Sequence, residues 1–181
     1  MTIELRGRHH VRSTARPRRH NGPVRFRRVA SDHPAARELL EGFDRDVGEL
    51  YPDWDPQRGP SAEPADFSAP GGAFLVGYLD DEPVACGGIK ALATPDLGEI
   101  KRMYVVSGVR GRGVGRELLA ALEGLARDIG YRRVRLDTGA SQPHARRLYG
   151  RVGYQMITDY NGNPFASYWF ERELSAEPTR V

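Results

Sequence analysis

The sequence is poor in cysteine and contains no long hydrophobic run. Cys86 is the only cysteine among 181 residues, which excludes an intramolecular disulfide and a metal site built from several thiolates. Its apolar neighbours predict a buried, unreactive thiol. No apolar stretch approaches the roughly 18 residues that a membrane-spanning helix needs, and no apolar core of an export signal follows Arg18 and Arg19. We therefore expect a cytoplasmic protein without a membrane anchor.

The histidines are scattered along the chain, and their spacing argues against a metal centre. None of the five histidines lies at a spacing typical of metal ligands, so we predict no bound metal. The histidines are His9, His10, His20, His33 and His144.

Charge is distributed unevenly over a chain whose composition is typical of a soluble globular protein. The 181 residues suit one domain, and 39% of them are hydrophobic. Residues 1–23 contain six arginines and one glutamate, whereas the rest of the chain has 21 basic and 23 acidic residues. This composition predicts a disordered basic tail, followed by one domain at 24–174 and a short tail at 175–181. The basic tail is either passive or binds nucleic acid; its lack of aromatic residues favours a passive tail.

The most informative motif is the glycine-rich run Arg-Gly-Arg-Gly-Val-Gly at 110–115. It follows a largely apolar, strand-like segment at 99–106 and precedes an amphipathic helix, whose apolar repeat starts at Leu118 and which Gly130 should end. Alternate glycines let a phosphate approach the backbone N–H groups, and the helix start adds the positive end of its dipole. The arginines supply fixed positive charge. We predict that this loop binds an anion, and a pyrophosphate in particular.

Other interpretations of this loop fail on spacing or on context. A Walker loop requires Lys and then Ser or Thr after the last glycine, where this chain has Arg116 and Glu117. A dinucleotide-binding loop requires G-x-G-x-x-G, whereas the spacing here is G-x-G-x-G. A mobile linker is disfavoured by the strand and the helix on either side.

Hydrophobic periodicity and turn residues predict the remaining elements. A helix capped by Ser31 or Asp32, with Pro34 near its start, precedes a long loop at 51–70. Ser141 is predicted to cap a short later helix. The remaining predicted strands are 24–29, 73–79, 83–90, 132–137, 153–160 and 166–171.

Three motifs, taken in order, resemble those of the GNAT family of N-acetyltransferases. The likeness extends over about residues 24–173. The motifs are Glu-Ile-Lys-Arg-Met-Tyr-Val at 99–105, the glycine-rich run at 110–115, and Ala-Arg-Arg-Leu-Tyr at 145–149 followed by Gly153 and Tyr154.

This resemblance implies an α/β (α+β) fold. The expected sheet is mixed, mostly antiparallel, and has about six to seven strands flanked by about four helices, with a V-shaped splay between two central parallel strands. The resemblance also implies an N-acetyltransferase that uses acetyl-CoA as co-substrate and acetylates a primary amine by direct attack in a ternary complex. A non-catalytic module that senses acyl-CoA is the alternative. Dimers are frequent among similar proteins, so a homodimer is one expected assembly.

The resemblance implies that the pyrophosphate of the cofactor binds the glycine-rich loop and that its pantetheine arm lies along the strand before the loop, in contact with Met103, Tyr104 and Val105. Gln142 stands where the family often has Asn, and it either contacts the pantetheine arm or is a structurally satisfied polar side chain. Tyr149 occupies the general-acid position, where its phenol would protonate the departing thiolate; a packed aromatic residue is the alternative. The implied cofactor-binding residues are Met103, Tyr104, Val105, Arg110, Gly111, Arg112, Gly113, Val114, Gly115, Arg116, Gln142 and Tyr149.

The family resemblance does not identify the base, because GNAT enzymes share no universal one. A lysine-like amine is mostly protonated at neutral pH, so some group must accept its proton. Glu99 on the cofactor strand is the predicted base, acting directly or through a water. A structural ion pair of Glu99 with Lys101 or an arginine is the alternative. Backbone N–H groups of the same strand are expected to stabilise the oxyanion.

The nature of the acceptor is predicted from the acidic segment 44–66, which contains seven acidic residues and two arginines. This charge favours a cationic acceptor, such as a polyamine, an aminoglycoside-like amine or a basic peptide. Aromatic walls are predicted from Tyr51, Trp54, Tyr160 and Trp169. The alternative is a solvated acidic loop that does not contact the acceptor.

Overall fold

The computed structural model describes residues 22–55, 57–60 and 62–174. Within these residues, seven strands form one mixed sheet, accompanied by three α-helices and two 3₁₀ turns. The strands are β1 (Arg25–Val29), β2 (Ala73–Leu79), β3 (Glu82–Ala91), β4 (Leu97–Val105), β5 (Arg133–Thr138), β6 (Gln155–Ile157) and β7 (Tyr168–Glu173). The helices are α1 (Pro34–Leu50), α2 (Val114–Ile129) and α3 (Pro143–Arg151), and the 3₁₀ turns are Pro64–Phe67 and Ser107–Val109. The predicted tails lie outside the described residues, apart from Gly22 and Pro23.

The sheet opens a cleft at its centre. Its strand order is β1-β2-β3-β4-β5-β7-β6, and of the six neighbouring pairs the β4–β5 pair is parallel and the others are antiparallel. β4 and β5 pair only over 97–99 and 133–135, after which both strands continue without pairing to each other. This mixed sheet, open between its two central parallel strands, confirms the predicted fold. The described residues contain one α-helix fewer than the four expected.

Two apolar clusters hold the helices on opposite faces of the sheet. α2 buries Leu118 and Leu122 in the first cluster, and α1 buries Leu39 in the second. Along β2, Leu75 belongs to the first cluster and its neighbour Val76 to the second. Because successive strand residues face opposite sides, α1 and α2 must cover the two faces. The apolar repeats of both helices thus position them on either side of the cleft strands.

Cys86 lies in the second cluster and is buried, as predicted. Burial raises the pKa of its thiol to about 12. The reactive thiolate is therefore scarce at neutral pH.

The N-terminal caps of two helices differ from the predicted ones. His33 caps α1 through its Nδ1 atom, which accepts a backbone N–H of the first turn at 3.2 Å, so Ser31 and Asp32 are not the cap. Gln142 takes the cap position of α3, which was predicted for Ser141. In both helices a proline occupies the start, and the residue directly before it becomes the cap.

The C-terminal part of the chain departs from the predicted pattern at one strand. Gly130 ends α2 in the left-handed conformation, with φ 108°, as predicted. The strand predicted at 153–160 is shorter, because β6 comprises only Gln155–Ile157. Residues 158–167 leave the sheet and turn toward the cleft, where Asn161 donates hydrogen bonds to two carboxylates.

No helix in the described part of the chain combines the length and apolar character needed to cross a membrane. The same residues contain no group of three or more His, Cys, Asp or Glu side chains that could hold a metal ion together.

Candidate active site

The glycine-rich loop connects the carboxyl end of β4 to α2. Gly111 and Gly113 have positive φ angles of 78° and 89°, a conformation that glycine adopts far more readily than other residues. A Cβ atom would meet nothing within 4 Å at Gly111 and only a carboxylate oxygen at 3.9 Å at Gly113. The first hydrogen bonds of α2 reach the Gly113 carbonyl from the N–H groups three and four residues later. The N–H groups of Val114 and Gly115 precede those bonds, which is the arrangement of an anion-binding helix start.

The predicted arginines of this loop have different surroundings. The Arg110 Nε atom donates to the Val105 carbonyl at 2.7 Å, and its Nη2 atom donates to Asp46 at 2.5 Å. Its guanidinium therefore ties the loop to β4 and α1. Arg112 and Arg116 are exposed, in the loop and in the first turn of α2. Arg110 also keeps 49% of its side chain exposed, so all three arginines present positive charge at the loop.

A shallow basic groove of about 340 Å³ extends from Arg116 between α2 and α3. Arg147 and Arg151 of α3 contribute further positive charge, and His144 lies beside them. The groove suits an anionic group carried by the same ligand that the loop would bind.

β4 carries a bulge where it passes the cleft. Its pairing with β3 shifts between Cys86 and Gly88, so Arg102 and Met103 together oppose one residue of β3. Arg102 has φ +57°, which is uncommon for a residue other than glycine. A bulge leaves its extra residue unpaired in the strand ladder. This is the kind of backbone position that an oxyanion site requires.

The three residues predicted to contact the pantetheine arm have different surroundings. Met103 lines the cleft. Tyr104 is buried beneath α1, and its hydroxyl donates to Asp46 at 3.2 Å. Val105 is half-buried and packs against the cluster that holds α2. An arm lying along β4 would therefore contact the backbone of Tyr104 and not its ring.

The cleft contains a cavity of about 130 Å³ with an aromatic wall. The wall is assembled from α1, the segment after it and the β6–β7 loop. The ring of Trp54 packs edge-on against Phe165 with centroids 4.8 Å apart and against Phe43 at 6.1 Å. We define the aromatic wall as Phe43, Tyr51, Trp54 and Phe165.

Tyr51 of this wall spans the cleft. Its hydroxyl accepts the Ser141 N–H at 3.0 Å, which connects the end of α1 to the loop between β5 and α3. Gly139 makes this crossing possible, because a Cβ there would overlap the Tyr51 hydroxyl and lie 2.7 Å from the Phe165 carbonyl oxygen. The aromatic wall therefore depends on the absence of a side chain at Gly139.

Tyr149 of α3 is buried and lines the same cavity. Its hydroxyl donates to the sulfur of Met103 at 3.9 Å, and its ring packs on Tyr154 and Phe170. Burial raises the pKa of Tyr149 above its ordinary value, and the negative charge of Asp137 raises it further. The phenol thus stays protonated at neutral pH and is able to donate.

Two carboxylates lie where β4 and β5 separate. Glu99 is almost fully buried and accepts from the Tyr160 hydroxyl at 2.8 Å. Asp137 lines the cavity and accepts from Asn163 at 3.0 Å. Asn161 bridges the pair, with bonds of 3.0 Å to Glu99 and 2.6 Å to Asp137.

Lys101 is the second bridge between these carboxylates. Its Nζ atom lies 3.4 Å from a Glu99 oxygen and 3.5 Å from an Asp137 oxygen. Glu99 therefore forms the ion pair that was the alternative to its role as a base, and Asp137 is the carboxylate that faces the cavity.

Gln142 uses its side-chain oxygen within the protein. That oxygen accepts from the Thr138 hydroxyl at 2.8 Å and from the Gly139 N–H at 3.1 Å. Gln142 also lines the cavity, so its amide nitrogen is the group with which it would contact a ligand.

The acidic segment 44–66 contributes none of its acidic side chains to the lining of this cavity. Three of them are paired with cations of the chain itself, at 3.2, 2.5 and 3.0 Å. These pairs are Asp44 with Arg102, Asp46 with Arg110, and Asp66 with Lys90. For these three residues, charge neutralisation inside the protein explains their presence.

Of the four residues predicted to form aromatic walls, two line the cavity and two do not. Tyr51 and Trp54 line the cavity. Tyr160 instead binds Glu99, and the Trp169 indole N–H donates to Asn161 at 2.9 Å. Both of the latter side chains therefore stabilise the hydrogen bonds around Glu99 and Asp137, Tyr160 directly and Trp169 through Asn161.

Several cavity residues were not predicted from the sequence. Phe43 and Phe165 look like ordinary apolar residues, and Asn163 lies in a loop without a motif. Asp137 did carry a signal, because it stands near the carboxyl end of a strand parallel to β4, where ligand sites of such sheets concentrate.

Comparisons with known proteins agree with this architecture. The family model described as Acetyltransferase (GNAT) family matches residues 35–154. An IAA acetyltransferase of Azospirillum brasilense is 32% identical over 143 residues, which cover 77% of this chain and 88% of that protein. The uncharacterised N-acetyltransferase YjgM of Escherichia coli K12 is 30% identical, with 76% of this chain and 84% of that protein covered.

Solved structures show the same fold. An acetyltransferase of the GNAT family from Staphylococcus aureus superposes with a TM-score of 0.70 at 17% identity, over 84% of this chain and all of that one. The match of the family model to most of the chain, together with the two relatives, decides the family. The chain belongs to the GNAT family of acetyltransferases.

Proposed function

We propose that the protein transfers an acetyl group from acetyl-CoA to a primary amine by direct attack in a ternary complex. The observation that carries this proposal is the buried phenol of Tyr149, which lines the cavity beside Met103 of the bulged strand. A cofactor with its pyrophosphate in the glycine-rich loop and its arm along β4 would bring its thioester to this point. Family membership supports the use of an acyl-CoA, and the choice of the acetyl group is part of the proposal.

The proposed reaction has one chemical stage. The neutral amine nitrogen attacks the thioester carbonyl carbon, a carbon–nitrogen bond forms, and the carbon–sulfur bond breaks. The departing sulfur takes the phenolic proton of Tyr149, and a proton from solvent later restores the phenol. The surplus proton on nitrogen passes to the carboxylates at the cleft. A backbone N–H group at the Arg102 bulge would stabilise the oxyanion.

Glu99 remains the proposed final proton acceptor, and its burial determines how the proton reaches it. Only 2% of Glu99 is exposed, so an amine in the cavity does not contact it directly. Asp137 faces the cavity and shares Lys101 and Asn161 with Glu99. The proton would therefore pass from the amine to Asp137, directly or through a water. Glu99 would be its final acceptor.

The Tyr149→Phe variant tests this function with a thiol-release assay on purified protein, acetyl-CoA and a panel of primary amines. We expect kcat to fall about 100-fold, because general-acid catalysis contributes at least that much, while the Kd for acetyl-CoA stays within about twofold of wild type. Glu99→Gln should give a similar loss of kcat. Tyr78→Phe, which removes a hydroxyl far from the cavity, serves as the control.

Two results would contradict the proposal. Wild-type protein that binds acetyl-CoA but acetylates no amine would favour the non-catalytic sensor. A Tyr149→Phe protein with wild-type kcat would remove Tyr149 as the acid.

The pH profile offers an independent check. Because burial raises the pKa of Tyr149 above the ordinary tyrosine value of about 10, the phenol remains protonated as pH rises through the neutral and weakly alkaline range. The fraction of neutral amine increases over the same range. We therefore expect kcat/KM for the amine to increase with pH up to about 9 without a falling limb; a falling limb near pH 7 would contradict the role of Tyr149.

A further inference from the structure

The indole nitrogen of Trp54 is a polar group that the proposed chemistry leaves unused. Trp54 lines the cavity, and its Nε1 atom is buried without a hydrogen-bond partner in the part of the chain that the structure describes. An indole N–H can only donate. A buried donor without a partner is unfavourable, and an oxygen of a bound ligand would supply the missing acceptor.

Arg102 adds positive charge to the same cavity. Its guanidinium has five N–H donors, and the Nη1 atom donates to one oxygen of Asp44 at 3.2 Å. The group also lies over the ring of Phe43, 5.4 Å from its centroid, and 18% of its side chain remains exposed. A planar guanidinium with donors remaining is well suited to bind a carboxylate.

Negative charge lies on the opposite strand. Asp137 belongs to β5 and is the carboxylate that lines the cavity, close enough to Tyr149 to affect the pKa of its phenol. Lys101 also lines the cavity and pairs with one Asp137 oxygen, while Asn163 donates to the other. The cavity thus offers a carboxylate to an amine at Asp137 and hydrogen-bond donors to an anion at Arg102 and Trp54. The acidic segment 44–66 adds no carboxylate to its lining, which argues against a polycationic acceptor.

We propose that the acceptor is a small amino carboxylic acid with an apolar body, an inference that rests on the proposed function. Its amine faces Asp137 and the thioester, and its carboxylate accepts hydrogen bonds from Trp54 Nε1 and Arg102. The aromatic wall packs against the apolar body. The cavity of about 130 Å³ suits the reacting end of one compact molecule.

Matched pairs of amines that differ only by a carboxylate test this proposal. The pairs are phenylalanine and phenethylamine, leucine and 3-methylbutylamine, and tryptophan and tryptamine. Spermidine is tested beside them as a polycationic amine. Thiol release gives kcat/KM for each amine. Calorimetry on protein saturated with CoA, which cannot transfer an acetyl group, gives the Kd of each amine without turnover. We expect wild type to prefer the amino acid of at least one pair about tenfold, and to prefer it to spermidine.

Trp54→Phe removes the indole N–H and keeps an aromatic ring in the wall. A hydrogen bond to a charged group corresponds to a factor of about ten or more in binding, so we expect the preference for the carboxylate to fall about tenfold in this variant. Arg102→Gln should lower the same ratio. Tyr78→Phe, which removes a hydroxyl outside the cavity, should keep the wild-type ratio, and thermal melting confirms that each variant is folded.

The outcomes separate this inference from the proposed function. If wild type releases thiol but prefers the decarboxylated amines or spermidine, the inference is wrong and the proposed function stands. A full wild-type preference in both Trp54→Phe and Arg102→Gln also overturns it. If no amine is acetylated, the proposed function fails, and calorimetry decides the inference: binding of an amino acid that Trp54→Phe weakens supports it, and the absence of such binding refutes it.

Discussion

The cofactor side and the acceptor side of the cleft are built in contrasting ways. The glycine-rich loop at 110–115 offers backbone: two glycines with positive φ, then a helix start. The aromatic wall offers side chains from α1, the segment after it and the β6–β7 loop. A site made of backbone depends on a few adjacent residues, whereas a site made of side chains depends on how distant segments meet. Changes to the two sides should therefore be separable by experiment.

Among changes that affect one side of the cleft and not the other, Gly139→Ala is expected to have the largest effect. The new Cβ would overlap the Tyr51 hydroxyl and lie 2.7 Å from a backbone carbonyl, so the aromatic wall must shift. Overpacking of this kind costs about 1–3 kcal/mol. Because a displaced aromatic wall would no longer fit the amine, we expect kcat/KM for the amine to fall by roughly 30-fold, equivalent to about 2 kcal/mol of transition-state stabilisation. The Kd for acetyl-CoA should change less than about threefold.

Gly150→Ala is the matched control for that change, since a Cβ at this exposed position of α3 meets nothing within 4 Å. If kcat/KM for the amine and the affinity for acetyl-CoA fall by the same factor in the Gly139 variant, the two sides are coupled.

Gly113→Ala should produce the reverse pattern. Space is available at Gly113, but φ is +89°, and a residue with a Cβ pays roughly 1–2 kcal/mol to adopt a left-handed conformation. We expect the Kd for acetyl-CoA to rise about tenfold, measured by calorimetry, with little change in the KM for the amine. Gly108→Ala, which lies just before the loop and meets nothing within 4 Å, is the control. An unchanged Kd in the Gly113 variant would contradict phosphate binding by this loop.

Asp46→Asn should have the smallest effect and tests the link between the two sides. Asp46 holds the guanidinium of Arg110, although both side chains are partly exposed, so their pairing is worth at most about 1 kcal/mol. Releasing Arg110 should strengthen acetyl-CoA binding about threefold at low salt, and the gain should shrink at high salt. Asp81→Asn, which breaks the exposed pair with Arg25, is the control. Weaker acetyl-CoA binding would show that Arg110 contributes more to cofactor affinity when it is paired with Asp46.

Much of the fold was predictable because its signals are local. The apolar repeat of α2, the left-handed end at Gly130 and the hairpin between β2 and β3 each follow from residues close together in sequence. Helix caps were less predictable, because Ser31 and His33 are both able to accept a hydrogen bond and only the geometry before a proline distinguishes them. Strand β6 was overestimated, because its sequence does not show that the following residues turn away to bind carboxylates.

The sequence by itself determined the family, the mixed sheet and the loop with its special glycines, since backbone conformation and hydrophobic periodicity act over a few residues. The tertiary structure alone decided which carboxylate faces the cavity and what the acidic segment does. Asp46 meets Arg110 across 64 positions, and Asn161 meets Glu99 across 62. Such contacts depend on how strands and loops pack together. A run of acidic residues therefore looks the same in sequence whether it holds a substrate or neutralises the protein's own arginines.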